Sequence, residues 1–118
     1  MPSKKSISIT IATSCFNEQG NIKEFHTRCK NSIAHIRNNL ENSHDITSSI
    51  VIADNSSTDG TLFVLKEICQ DDASVRVLQN LMNYGPEVSL MNVLEQVSDS
   101  DIVFTLCSDL QDPPEMAI

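Results

Sequence analysis

What the sequence lacks narrows its reading before any motif is considered. No apolar stretch approaches the roughly 18 residues that a membrane-spanning helix needs. Lys4 and Lys5 do precede ISITIA, but that segment alternates with Ser and Thr. It reads as a strand, not as the continuous apolar stretch of a signal peptide. No CxxC pair is present. Cys15, Cys29, Cys69 and Cys107 are scattered through apolar or amphipathic surroundings, the pattern of reduced, semi-buried thiols in a cytosolic protein rather than of disulfides or a zinc site. His26, His35 and His44 stand nine apart, which does not put them on one helical face as ligands, so no metal role is assigned to them. There is no internal repeat and no low-complexity tract. Positive charge is also scarce: the formal net charge is −8, which argues against general affinity for nucleic acid or an anionic membrane surface. Arg76 is the last cation, yet Glu87, Glu95, Asp99, Asp101, Asp109, Asp112 and Glu115 follow it. A phosphate bound at that end would need a metal ion, backbone N–H groups or residues from elsewhere.

What is there is an ordinary globular composition. The 118 residues are 40% apolar and 20% charged, enough for one domain with a real core. The hydrophobic pattern switches repeatedly between period two and period 3.6. SISITIAT (6–13) predicts a strand with Ile7, Ile9 and Ile11 on one face. After the polar loop SCFNEQG, Asn21 and Glu24 have the spacing of a capping box. Ile22, Phe25, Cys29, Ile33, Ile36 and Leu40 then predict a long amphipathic helix ending near Asn42. A second strand is expected over 48–53, and a helix marked by Leu62, Leu65 and Ile68 to about Gln70. A third strand is expected over 74–79. Pro86 suits the first turn of a helix carrying Val88, Met91, Leu94 and Val97. A fourth strand is expected over 101–106, with Pro113 and Pro114 opening one more helix. This alternation predicts an α/β fold: a Rossmann-like parallel sheet with helices on both faces. Ligands gather at the carboxyl ends of such strands, where FNEQG, ADNSSTDGT, LMNYG and CSDLQD collect most of the polar chemistry.

Within those loops, Glu18 follows the first strand and Asp54 closes the second. A carboxylate can accept two hydrogen bonds from a ribose diol or one from the N3–H of uracil, so the two together make a nucleoside site. Spacing alone favours the plainer reading, in which Asp54, Ser56, Ser57 and Asp59 only cap a turn and a helix. Asp109 and Asp112 offer hard oxygens suited to Mg²⁺ or Mn²⁺, or else form a solvated acidic turn with Asp112 capping a helix. Asn83-Tyr84-Gly85 is either a plain turn or a presentation of backbone N–H groups and an amide to a ligand; its spacing does not choose.

FNE, ADNSSTDGT, NYG and above all SDLQDPPE, taken in order, resemble the nucleotide-sugar half of the family 2 inverting glycosyltransferases with the GT-A fold. The nearest branch is the polyprenyl- and dolichyl-phosphate sugar synthases. Members of that family carry Tyr-Asn-Glu, Asp-Asp-Gly-Ser-Thr-Asp-Gly-Thr, Arg-Asn-Phe-Gly and Asp-Ala-Asp-Leu-Gln-Asp-Pro-Pro-Glu at the corresponding places. STDGT alone is a weak signal, whereas DLQDPPE after a strand is specific. The resemblance implies that Glu18 and Asp54 hold the nucleoside, that Phe16, Ser56, Asn83, Gly85 and Ser108 lie along the nucleotide, and that Asp109 and Asp112 serve a Mg²⁺ or Mn²⁺ ion. It implies a nucleotide-sugar donor, with uridine weakly favoured over guanosine, and a lipid-phosphate or other glycan acceptor. The reaction implied is a single displacement at the anomeric carbon.

Four positions depart from the pattern. Cys107 stands where the first Asp of the D-x-D pair belongs, Asn55 replaces an Asp, Ser56 a Gly, and Met82 an Arg. Cys107 and Met82 weaken the expected grip on a diphosphate. Family members continue into an acceptor half and membrane helices. The chain therefore reads as residues 1–118 of a nucleotide-sugar-binding half, incomplete or inactive by itself, cytoplasmic, with the full-length protein at the cytoplasmic face of a membrane. The alternative is a non-catalytic nucleotide-binding or interaction domain derived from a degenerate glycosyltransferase. A phospho-acceptor receiver is disfavoured, because Asn17-Glu18 replaces its acidic pair and no Lys follows Lys66. Uncovered sheet edge and apolar surface, Met116 and Ile118 included, predict self-association.

Overall fold

The computed structural model describes residues 5–106. Seven elements alternate: β1 (Lys5–Cys15), α1 (Ile22–Leu40), β2 (His44–Asp54), α2 (Thr61–Asp71), β3 (Val75–Gln79), α3 (Pro86–Gln96) and β4 (Ile102–Thr105). All the strand pairs are parallel, in the order β3-β2-β1-β4. The winding runs outward from β1 through β2 to β3, then returns to the other side of β1 for β4. Right-handed crossovers require that such a reversal move the connecting helix to the opposite face. Accordingly α1 and α2 cover one face and α3 the other.

The core follows from strand periodicity. Ile11, Ile50 and Ile52 point to the α1/α2 side, where they meet Ile22, Phe25, Cys29, Ile33, Leu65 and Ile68. Ala12, Val51 and Ala53 point to the α3 side and meet Val93 and Val97. Because both faces are covered, residues 9–13 of β1 and 50–54 of β2 are buried without alternation. Phe25 is fully buried and has the largest volume among such side chains; truncating a residue of this kind to Ala costs about 3–5 kcal/mol.

Several boundaries and faces differ from the sequence-based expectation. Strand β2 begins at His44, pairing residue for residue with β1 from Lys5↔His44 onward. Its first half is polar (HDITSS), so hydropathy gives no sign of a strand that backbone pairing nonetheless sustains. The capping box does not form: Asn21 makes no side-chain cap, and its Nδ2 donates instead to Glu18 Oε2 at 2.9 Å. Helix α3 turns inward only part of the expected face: Leu94 and Val97 pack against the sheet as expected. Ser89, Val93 and Val97 are buried, whereas Val88 and Met91 are exposed. Ser89 is drawn inward by a hydrogen bond from Asn80 Nδ2 at 2.8 Å. The helix expected at Pro113 lies outside the described residues.

The register places the site. Cys15 sits opposite Asp54, and Asp54 opposite Gln79, so three strands end level. Their following loops start side by side, and β4 joins alongside through the Leu106 N–H donating to the Ala12 carbonyl at 3.2 Å.

Candidate functional site

The loops after β1 and β2 are joined by side chains acting on backbone. Asn17 adopts φ +53, a left-handed conformation that Asn tolerates better than most residues. Its Oδ1 accepts the Thr58 N–H at 2.8 Å and the Asp59 N–H at 3.3 Å, while its own N–H donates to Ser57 Oγ at 3.0 Å. The Glu18 N–H donates to Thr61 Oγ1 at 2.9 Å, and the Gly60 N–H to Gln19 Oε1 at 3.0 Å. Asp59, two residues before α2 begins, accepts the Thr61 N–H at 2.9 Å and the Thr61 hydroxyl. The Thr61 hydroxyl is the main reason the Asp59 carboxyl lies below the usual carboxylate range. Ser56 has φ +62, a conformation glycine adopts freely and serine does not.

The loop after β3 is tied in by amides. The Asn80 N–H donates to the Asp54 carbonyl at 2.9 Å. Asn55, only 2% exposed, donates from Nδ2 to Asn83 Oδ1 at 2.8 Å. Its own Oδ1 accepts from Tyr84 N–H at 2.9 Å and from Asn80 Nδ2 at 3.1 Å. Asn83 Oδ1 also accepts the Gly85 N–H at 2.8 Å. Gly85 has φ +86 and stands just before Pro86, the first residue of α3.

Between these loops lies an open cleft of about 330 Å³. Its polar wall is Glu18, Asn55 and Asn83; Phe16, Pro86 and Leu90 supply apolar surface. Cys15 also borders it, but burial first, and then the carboxylates of Asp54, Glu18 and Asp59, push its thiol up to about 12. Near neutral pH it is therefore a neutral thiol and a poor nucleophile.

The residues singled out from sequence are thus distributed unevenly. Phe16, Glu18 and Asn83 meet on the cleft, and Gly85 shapes its rim. Asp54 does not open onto it. The carboxylate is 1% exposed, accepts the Ser57 hydroxyl and lies 4.0 Å from Cys15 Sγ, so the expected pair of outward acceptors is reduced to Glu18. Ser56 is half-buried, and its contribution is the reversal of the chain. Cys107, Ser108, Asp109 and Asp112 lie outside the described residues. Among the described residues no three His, Cys, Asp or Glu side chains gather into a metal cage. Asn17, Asn80 and Ser89, to which the sequence pattern assigns no site role, and Asn55, marked there only as a departure from an Asp, tie the loops together. The density of Asn and Ser in FNEQG, DNSS and NLMNYG was the available signal.

Known proteins agree with this architecture. The sequence model of the family described as Glycosyl transferase family 2 matches residues 10–118. An undecaprenyl-phosphate 4-deoxy-4-formamido-L-arabinose transferase of Pseudomonas savastanoi pv. phaseolicola is 33% identical over 113 residues, covering 94% of this chain and 30% of that protein. The enzyme of the same description from Klebsiella pneumoniae (strain 342) is 31% identical over 116 residues, covering 97% and 32%. The chain therefore spans about a third of the length of the curated relatives it matches. Among solved structures, the mannosyltransferase PcManGT from Pyrobaculum calidifontis, in complex with GDP-Man and Mn²⁺, superposes with a TM-score of 0.67 at 16% identity, over 91% of this chain and 28% of that one. S. aureus TarS 1-349 in complex with UDP gives 0.63 at 22% identity, over 87% and 28%. These two likenesses establish the shared sheet and winding. With a family match over nearly the whole chain, the chain belongs to glycosyl transferase family 2.

Proposed function

We propose that this chain supplies the donor-binding part of a glycosyltransferase that moves a hexosyl group from a nucleoside-diphosphate sugar to a polyprenyl phosphate or another cell-envelope glycan acceptor. The observation that carries the reading is the cleft where β1 and β2 end together, with Phe16, Glu18 and Asn83 on its wall. The exposed Phe16 ring offers a stacking face for a base, and Glu18 offers an acceptor to a ribose diol or an imide N–H. The relatives' description as undecaprenyl-phosphate sugar transferases supports the acceptor class. In the transfer, an acceptor phosphate oxygen forms a bond to the anomeric carbon as the bond to the donor's β-phosphate oxygen breaks. Such an acceptor is already anionic and has little need of a strong general base.

Asp109 and Asp112 provide hard oxygens of the kind Mg²⁺ or Mn²⁺ takes, and a bound ion would stabilise the departing nucleoside diphosphate. PcManGT, whose structure carries Mn²⁺, supports metal use in this fold. We place the whole protein at the cytoplasmic face of a membrane, although no helix among the described residues is long and apolar enough to cross one. Self-association is part of the same proposal. Strand β4 is an edge among the described strands, Ile102 on it is exposed, and an apolar trough lined by Ile9, Ile36, Leu40 and Phe104 runs beside it. Sedimentation showing a clean monomer at high concentration would remove that part.

Calorimetry with UDP and GDP, each with and without Mn²⁺, tests the main reading. Metal-dependent binding of either nucleotide is expected. Binding indifferent to metal would favour the second reading, a nucleotide-binding domain without transfer, which Cys107 in place of an Asp already recommends. Binding of neither nucleotide would end both.

A further inference from the structure

We propose that Asn21 is a positioning residue: it holds the Glu18 carboxylate by one oxygen and leaves the other as the acceptor that the cleft offers to a nucleotide. The inference deepens the reading of the cleft as a donor-nucleotide site and rests on it. The backbone of Glu18 is tied at both its polar groups. Its N–H donates to Thr61 Oγ1 at 2.9 Å, and its carbonyl accepts the N–H groups of Asn21 at 2.9 Å and Ile22 at 3.1 Å. The side chain is long and rotatable, and among the described residues one hydrogen bond holds it: Asn21 Nδ2 donates to Oε2 at 2.9 Å. A carboxylate only accepts, so the Asn21 atom facing it must be Nδ2, and chemistry fixes the orientation of that amide.

Two observations single out this contact. The first is what Asn21 gives up. It stands at the N-cap of α1, where an Asn side chain ordinarily accepts an N–H of the first turn, yet it makes no cap there. A residue that forgoes a stabilising local bond and reaches a neighbouring carboxylate instead is the kind of departure from local rules found at functional sites. The second is the state of the other acceptors on the cleft wall. Asn55 Oδ1 already accepts from the Tyr84 N–H and Asn80 Nδ2, and Asn83 Oδ1 from Asn55 Nδ2 and the Gly85 N–H. Glu18 Oε1 receives no hydrogen bond from the described residues, and it is the carboxylate oxygen left for a ribose hydroxyl or an imide N–H. Holding it before the ligand arrives removes part of the ordering cost of binding.

The contact can be inverted by substitution. Asn21→Asp removes the donor and sets one carboxylate against another, so Oε2 is no longer held. It does not deprive α1 of a good N-cap residue, because Asp caps as well as Asn and a negative charge suits a helix N-terminus. Glu18→Gln alone makes both side chains amides. Either can then turn, and the atom presented to the cleft is no longer set. Made together, the two substitutions restore an order. The carboxylate at position 21 only accepts, so the glutamine at position 18 must turn its Nε2 inward and its oxygen toward the cleft. Two substitutions that are each harmful thus combine to recover the acceptor.

The experiment compares wild type, Asn21→Asp, Glu18→Gln and the double variant. UDP and GDP binding with Mn²⁺ is measured by calorimetry, and the Tm of each protein is recorded without nucleotide. For whichever nucleotide wild type takes up, Asn21→Asp is expected to bind about tenfold more weakly, with a Tm within about 3 °C of wild type. Glu18→Gln is expected to be weakened as well, and the double variant to bind more tightly than either single variant. An Asn21→Asp protein that binds as wild type does overturns the proposal. So does one whose Tm falls together with its affinity, which marks a residue that serves only the fold. A double variant that does not exceed both single variants overturns it too. In each of these cases wild type still binds, and the reading of the cleft survives. If wild type takes up neither nucleotide, that reading fails and this proposal falls with it.

Discussion

Asp72 closes helix α2 and fastens it to α1. Its carboxylate accepts the Ser74 N–H at 3.0 Å, the Ser74 hydroxyl at 2.7 Å, His26 Nε2 at 2.8 Å and Lys30 Nζ at 3.3 Å. The side chain is 15% exposed. Burial alone would raise its pKa, but the hydrogen bonds from Ser74, His26 and Lys30 outweigh burial and hold the carboxyl well below the usual carboxylate range. Hydrogen bonds to a charged group contribute about 1.5–3 kcal/mol each when measured singly. These share one acceptor and Lys30 is itself 40% exposed, so they are not additive. Asp72→Ala is therefore expected to cost about 2–3 kcal/mol, or on the order of 10–20 °C in Tm for a domain of this size. Asp72→Asn keeps an oxygen for Ser74 but loses the charge facing His26 and Lys30, and should cost about half as much.

The pH dependence has a definite sign. A carboxyl whose folded pKa is depressed contributes stability that is complete above its unfolded value of about 3.9 and is lost as pH falls below it. Urea unfolding should thus show the full gap between wild type and Asp72→Ala at pH 7, narrowing below about pH 4. An Asp72→Ala protein within about 0.5 kcal/mol of wild type, or a gap that widens on acidification, would refute the assignment.

Three further outcomes follow from local geometry. Asn17→Gly and Asn17→Ala both remove the acceptor for the Thr58 and Asp59 amides, but only Ala keeps a Cβ at φ +53; denaturation should find the Ala variant less stable than the Gly variant by about 1 kcal/mol. At Gly85 nothing stands within 4 Å of an added Cβ, so Gly85→Ala should cost only the backbone strain of a side chain at φ +86, ψ 157, about 1–3 kcal/mol, in the same assay. With its thiol pushed up to about 12, Cys15 should resist alkylation at pH 8 until the protein unfolds, whereas half-buried Cys69 reacts sooner; peptide mapping after brief iodoacetamide treatment distinguishes them.

The alternation of strands and helices was legible because each element carries its own period. Ile22, Phe25, Cys29 and Ile33 mark the inner face of α1 with nothing else consulted. The first half of β2 was not legible, since its order comes from a neighbouring backbone and its side chains are polar. The face of α3 was legible in part: Leu94 and Val97 pack as their hydropathy indicates, whereas Val88 and Met91 are exposed and Ser89, hydrogen-bonded to Asn80, is buried. At the candidate site, loop position was enough to bring Phe16, Glu18 and Asn83 to one cleft. The burial of Asp54 and the hydrogen bonds of Asn55 depend on which oxygen meets which donor, and residue type and spacing do not encode that.

The strand order also bears on synthesis. Strand β1 can pair with β2 as soon as Asp54 has left the ribosome, because Lys5↔His44 and its successors join neighbouring stretches of chain. Its other flank waits for Ile102, ninety-three positions beyond Ile9. Until then a nascent chain would carry one side of its central strand unsatisfied, a period in which a chaperone has the most to protect.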